Sequence, residues 1–407
     1  YYFYTKSYNS LTIASSCQVN QVNDMKIDTF GVEMWMNEWE NICDFNLAET
    51  CVESLTLKEL LNVTGRNETD LSALLPLKMT YGDIKGSDRL RNAISTLYEK
   101  QQNKNILVTH GTIGANMLVH KTVVEPNDRV VSIVPTYQQH YSIPKSIGAE
   151  IALLHLQEEM EWMPDLDKLE KLTNSDTKLI ALTNPNNPTG ALIPKEMLNE
   201  IAKIARNVGA WVLCDEVYRG TDQRGHGMTT SMADIYEKGI STAGMSKAYS
   251  LAGLRLGWIA APTDFIEEVM IHRDYDTISV GMIDDHFATI ALEGHVKLLE
   301  RAHNITRGNL AHLELWIENE DKLSWVKPKS GTTALVKYHL DISSYDLCVA
   351  LIKEAGVMFT PGSALGMEGY VRIGYANNPK ILKTVFFPII IFFLRFIGQL
   401  AYNRSSV

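Results

Sequence analysis

The stretch GMSKAYSLAGLRLGW, Gly244 to Trp258, follows a short strand-like run, Ile240 to Ala243, and sets Lys247 just past its end. Most lysines are solvated handles; one held among small residues at a strand end is built to be desolvated. A lysine that forms a Schiff base needs an amine neutral enough to attack a carbonyl, and burial lowers a lysine pKa. Ser250, a glycine-punctuated turn at Gly253 and an arginine, Arg255, complete the setting. The stretch reads as a lysine that holds an aldehyde cofactor.

Outward from it, short β-branched runs alternate with helical segments, as a parallel sheet connected by helices requires. Strands are predicted over 106–109, 129–133, 151–154, 179–183, 211–214, 240–243 and 257–261. Between them, KEMLNEIAKIARNVG from Lys195 places Met197, Leu198, Ile201, Ile204 and Ala205 on one helical face, and Gly209 closes it. The class is α/β, and ligands of open α/β sheets collect beyond the carboxyl ends of the strands. The chemically unusual residues fall there.

THGTIGAN, Thr109 to Asn116, follows a strand and opens a helix, so the N–H groups around Gly111, Thr112 and Ile113 are placed to cradle a phosphate. An ordinary strand-to-helix turn is the bland alternative. In PTYQQHY, Tyr137 is an aromatic placed to lie against a planar ring, or else core packing. TNPNNPTG, Thr183 to Gly190, uses two prolines and a glycine to hold Asn187 out as a rigid amide donor. WVLCDEVYRG ends an apolar strand with Asp215 and follows it with Tyr218; a buried carboxylate demands a cation, either a protonated ring nitrogen or a local arginine such as Arg219. In YVRIGYAN, Arg372 sits in an alternating apolar strand where its planar fork suits an α-carboxylate.

Composition bounds these readings. The 407 residues suffice for two or three domains, and 45% hydrophobic with 21% charged residues is the balance of a soluble globular protein. A net charge of -10 argues against a nucleic-acid partner. Cys17, Cys43, Cys51, Cys214 and Cys348 form no C-x-x-C pair, which points to thiols in a reducing, cytoplasmic setting and to no metal site; the sequons at Asn62, Asn67, Asn304 and Asn403 then read as chance matches. Residues 1–24 read as an extension before a natural start at Met25. Residues 384–407 form a tail whose apolar run, Thr384 to Tyr402, is interrupted by Pro388, Arg395 and Gln399; a packed helix is favoured over a membrane span.

Taken in order, these motifs resemble those of the class I/II aminotransferases, pyridoxal-phosphate enzymes of fold type I, over roughly residues 44–377. The resemblance implies a mostly parallel seven-stranded sheet in a large cofactor-binding domain (61–285). A smaller α+β domain would be built from an N-terminal arm (25–60) and a C-terminal part (286–383). It implies that Lys247 is the aldimine lysine and proton shuttle. Asp215 would pair with the pyridinium, Asn187 and Tyr218 bind the phenolic oxygen, and Tyr137 stack on the ring. Gly111, Thr112, Ile113, Ser246 and Arg255 would lie at the phosphate, and Arg372 would hold the substrate carboxylate with Asn187 and Ala48 beside it. YGDIKG, Tyr81 to Gly86, resembles the segment whose tyrosine reaches a neighbouring subunit's phosphate, which implies a homodimer. Two departures stand out. Gly244 replaces a frequent phosphate-binding hydroxyl, and Ala48–Glu49 stands where many relatives carry a glycine; the carboxylate there would either favour a substrate with a distal cation or face away from the site. The implied reaction is transfer of an amino group between an amino acid and a 2-keto acid, with β-elimination, cyclisation or a non-catalytic cofactor-binding role as the alternatives.

Overall fold

The computed structural model describes residues 27–72, 74–385, 389 and 392. The N-terminal extension, and the apolar tail apart from residues 384, 385, 389 and 392, lie outside them. Helix α1 (Gly31–Trp39) leads into a short strand β1 (Phe45–Asn46). The central unit then runs β2 (Ile106–His110), α2 (Gly111–Val123), β3 (Arg129–Val134), α3 (Gln139–Ile147), β4 (Glu150–His155) and β5 (Thr177–Thr183). It continues through α4 (Lys195–Val208), β6 (Trp211–Asp215), β7 (Gly239–Gly244) and β8 (Leu256–Ala260).

These seven strands form one sheet in the order β2-β8-β7-β6-β5-β3-β4. All neighbours are parallel except β8, which runs antiparallel to both β2 and β7. Six strands therefore end on one edge, and the reversed β8 begins there. That reversal places Arg255, just before β8, beside residues that follow the other strands. Alternate side chains serve opposite faces, as a pleat requires: Val212 and Cys214 enter one core while Leu213 enters another. The predicted helix α4 buries Leu198, Ile201, Ala202, Ile204 and Ala205, and Gly209 ends it at φ 75°.

The long helix α5 (His295–Glu318) joins this unit to a second one. Its early Leu298 and Leu299 belong to the sheet's core; its later Leu310, Leu313, Trp316 and Ile317 belong to another. There, β9 (Leu323–Trp325), β10 (Thr333–Tyr338), helix α6 (Ser344–Ala355), β11 (Val357–Met358), β12 (Thr360–Pro361) and β13 (Tyr370–Gly374) follow. Four of these strands pair in the order β12-β13-β10-β9, while β11 pairs in parallel with the distant β1. Trp35 of α1 and Leu47, just past β1, are buried in the same core, as are Leu382, Val385, Ile389 and Phe392. The apolar residues of the tail that the structure describes are thus spent on packing. No helix among the described residues is long and apolar enough to cross a membrane.

Candidate active site

A cavity of about 340 Å³ lies at the strand-end edge of the large sheet, where it meets α1, the segment after β1, and β13. Lys247 enters it from the loop after β7. Its Nζ donates to Thr50 Oγ1 at 2.6 Å and stands 3.5 Å from Cys51 Sγ and 3.8 Å from Glu49 Oε1. The amine pKa is not lowered as the sequence reading expects. Burial pulls it down, but the negative charge available at Cys51, Tyr218 and Glu49 outweighs burial and raises it above the ordinary lysine range. Burial also pushes the Cys51 thiol up to about 11 and raises the Tyr218 phenol. Near neutrality both are protonated, so Glu49 is the anion that holds the ammonium. Burial acts to raise the Glu49 carboxyl, but Lys247 and the Cys51 and Thr50 N–H groups outweigh it and hold it at about 2.

Asp215 ends β6 and is 3% exposed. Its Oδ2 accepts from Asn116 Nδ2 at 2.8 Å and lies 3.4 Å from His140 Nε2; its Oδ1 accepts from the Val217 N–H at 3.1 Å. Arg219, the alternative partner, turns away: it donates to the Thr229 carbonyl at 2.6 Å and stands 4.0 Å from Glu216. Asn116 is oriented in turn by Thr242, whose hydroxyl donates to its Oδ1 at 2.7 Å. Behind His140, His120 lies at 3.3 Å, its pKa driven far below the ordinary value by burial and by His140. Asn116 and His140 sit inside two of the motifs quoted above, THGTIGAN and PTYQQHY, without standing out there. Their signal is a buried polar side chain at helical spacing from a strand end.

Gly111 opens α2 with φ 64°, and His110 before it gives no side-chain cap, so the first N–H groups of the helix are left for a ligand. A Cβ on Gly111 would stand 3.1 Å from the Arg255 guanidinium. The Thr112 hydroxyl is buried and without a partner among the described residues. The Gly244 departure has a steric cause: a Cβ there would stand 2.6 Å from Thr112 Oγ1, so the hydroxyl of residue 112 fills that space. Gly257 is similarly required, since its Cβ would meet the Gly111 carbonyl carbon at 2.4 Å. Ile113, Ser246 and Arg255 line the same end of the cavity.

On β13, Arg372 is 3% exposed. Its Nη1 donates to Asn187 Oδ1 at 3.3 Å, and its Nη2 to the Ala48 carbonyl and Thr360 Oγ1, each at 3.0 Å. Its Nε has no partner among the described residues. Asn187, Ala48 and Arg372 are thus brought together, and Tyr218 and Tyr137 line the cavity beside them. The Tyr137 hydroxyl donates to Glu33 Oε1 on α1 at 2.7 Å, a contact nothing in the local sequence announces. Tyr81 is 77% exposed and does not line the cavity of its own copy.

The family model for aminotransferase class I and II matches residues 77–383. The chain belongs to that family. It is a pyridoxal-phosphate-dependent aminotransferase of fold type I. Among solved structures, it is 41% identical to a PLP-dependent aminotransferase from Streptococcus suis, with a TM-score of 0.88 over 91% of this chain and 99% of that one. Among curated aminotransferases, it is 30% identical to aromatic-amino-acid aminotransferase 2 of Thermococcus litoralis, covering 74% of this chain and 81% of that protein. It is also 28% identical to capreomycidine synthase of Streptomyces vinaceus, over 85% and 88% of the two chains.

Proposed function

We propose that this aminotransferase works with Lys247 as its proton-moving base, Asp215 as the anion beneath the cofactor nitrogen and Arg372 as the substrate-carboxylate anchor. Bound in the cavity, pyridoxal phosphate supplies a carbonyl for the amino group and an electron sink for the bond broken at the substrate Cα. The residues suit that group. Thr112 Oγ1 and Arg372 Nε are buried polar atoms without partners among the described residues, and both residues line the cavity. The N–H groups at the start of α2, Thr112, Ser246 and Arg255 are the donors for a phosphate.

Arg372 receives the α-carboxylate, for which its Nε has no other partner among the described residues and Asn187 is adjacent. That contact orients the substrate so that its Cα–H faces Lys247 Nζ. Displaced from the cofactor as a neutral amine, Lys247 would take this proton and return it two atoms away, across the amino nitrogen. Hydrolysis by one water would then release the 2-keto acid and leave the amino group on the cofactor. Asn116, His140 and the Val217 N–H keep Asp215 aimed as an anion at a protonated nitrogen. Asn187 and Tyr218 hold the ring oxygen, and Tyr137 covers the ring face and excludes water. Tyr81, exposed in one copy, supports a homodimer in which it completes the partner's phosphate site. The unpaired thiols of Cys43, Cys51, Cys214 and Cys348 support a cytoplasmic location.

The juxtaposition of Lys247 with Asp215 and Arg372 in one cavity carries this reading. Purified protein is expected to show a visible absorption band that Lys247→Ala abolishes, and to convert an amino acid only when a keto acid such as pyruvate or 2-oxoglutarate is present. Consumption without keto-acid dependence, with release of ammonia, would assign a lyase. A cyclic amino-acid product would assign a cyclase, the outcome that the likeness to capreomycidine synthase makes worth assaying. A colourless wild-type protein overturns the residue roles.

A further inference from the structure

The cavity carries more negative charge than its chemistry uses. Its carboxylates are Glu33, Glu40, Glu49 and Asp215, and its cations are Lys247, Arg255 and Arg372. On the reading above, Asp215, Lys247 and Arg255 are committed to the cofactor and Arg372 to the α-carboxylate. Glu33, Glu40 and Glu49 remain. Glu49 has Lys247 at 3.8 Å, whereas no ion pair engages Glu33 or Glu40 among the described residues.

Glu33 stands on α1 and Glu40 at its C-cap, while Glu49 stands on the segment after β1, and all three line the cavity. Glu33 and Asn37, four residues apart on α1, fall on one helical face, and Glu40 continues it at the C-cap. That face is held rigidly. The Gly31 N–H donates to Gln138 Oε1 at 2.8 Å, Gln138 Nε2 donates to the Thr29 carbonyl at 2.9 Å, and Trp35 Nε1 donates to the Phe359 carbonyl at 2.8 Å. Gly31 lies so close to the turn at Ala364 that a Cβ would stand 2.8 Å from its carbonyl oxygen. Glu33 is fixed further by Tyr137, which occupies one lone pair and leaves the rest open. Glu33, Glu49 and Arg372 line one cavity, so a substrate anchored on Arg372 extends its side chain into a space that both carboxylates border. An acidic side chain would add an anion to this space, and a neutral one would leave its charge uncompensated.

We propose that Glu33 and Glu49, with Glu40 at the rim, select an α-amino acid whose side chain ends in an ammonium or guanidinium group. The inference rests on the aminotransferase reading and names its donor substrate. The corresponding amino acceptor is a keto acid without a second carboxylate, so pyruvate is used more efficiently than 2-oxoglutarate.

L-Arginine and its neutral isostere L-citrulline separate charge from shape. With the holoenzyme and pyruvate, kcat/KM is expected to favour arginine by about 10-fold to 100-fold, the range of a charge-assisted contact. Calorimetric dissociation constants for the two ligands on the same protein should show the same order. In Glu33→Gln and Glu49→Gln, the arginine-to-citrulline ratio should fall towards one, through KM more than kcat. Equal handling of the two amino acids by the wild type, or a preference for glutamate, overturns the inference and leaves the aminotransferase assignment standing. If no amino acid is transaminated, the assignment fails, and the calorimetric ratio decides the charge preference by itself.

Discussion

Asp215 is worth as much to the protein as the groups that aim it. Its Oδ2 takes a hydrogen bond from Asn116, which is itself locked by Thr242. Removing that donor leaves a buried carboxylate short of one charge-assisted bond, a loss of about 1.5–3 kcal/mol. Asn116→Ala is therefore expected to weaken cofactor retention by roughly 10-fold or more, read as pyridoxal phosphate released on dialysis. Retention equal to wild type would show that His140 and Val217 suffice. A second carboxylate behaves oppositely. Burial pushes Asp222 up to about 6 from its ordinary 3.8, although Ser330 donates to it at 2.8 Å. Its folded pKa lies above the unfolded one, so the folded state binds more protons between these values and stability falls as pH rises through that window. The penalty is complete above pH 6. Asp222→Asn should accordingly stabilise the protein in urea unfolding at pH 7.5, with the gain shrinking towards pH 4.

Among elements, the seven strands of the large sheet were legible because each is a short apolar run bounded by turns, and the observed ends agree to within two residues. Helix α4 was equally legible, since its apolar face repeats at helical spacing and Gly209 stops it. Asn187 and Asp215 stand out in the sequence at strand ends and Arg372 inside an apolar strand, and the structure brings all three to one cavity. What escaped was long-range. Glu33 gains meaning only by meeting Tyr137, 104 positions away, and Asn116 only by meeting Asp215, 99 positions away. Periodicity reports which face of an element is buried, never which distant side chain it meets. The lysine pKa follows the same logic: its burial is readable in the sequence, whereas the Glu49 carboxylate beside it, which helps to raise that pKa, is not.

At the level of the whole molecule, the segment around Tyr81 is unusual in exposing Leu75, Met79, Tyr81 and Ile84 together. An apolar stretch of this kind suits a subunit interface. Sedimentation equilibrium should return twice the chain mass, and Tyr81→Phe should weaken cofactor binding without dissociating the dimer; a monomer at micromolar concentration would refute the shared site. The pairing of β1 with β11 has a consequence in time. The pocket wall bearing Glu49, Thr50 and Cys51 is secured by residues near the other end of the chain: Leu47 N–H to the Met358 carbonyl, Gly374 N–H to the Leu47 carbonyl, and Glu53 N–H to the Ala376 carbonyl. A ribosome that has translated only as far as β8 has already made every strand of the large sheet. It has made Lys247, whose carbonyl accepts from the Val52 N–H, but not Met358, Gly374 or Ala376, the C-terminal partners of this wall. Nascent chains can therefore assemble the platform beneath the cofactor well before they can enclose it, and competence arrives only once residue 376 has emerged.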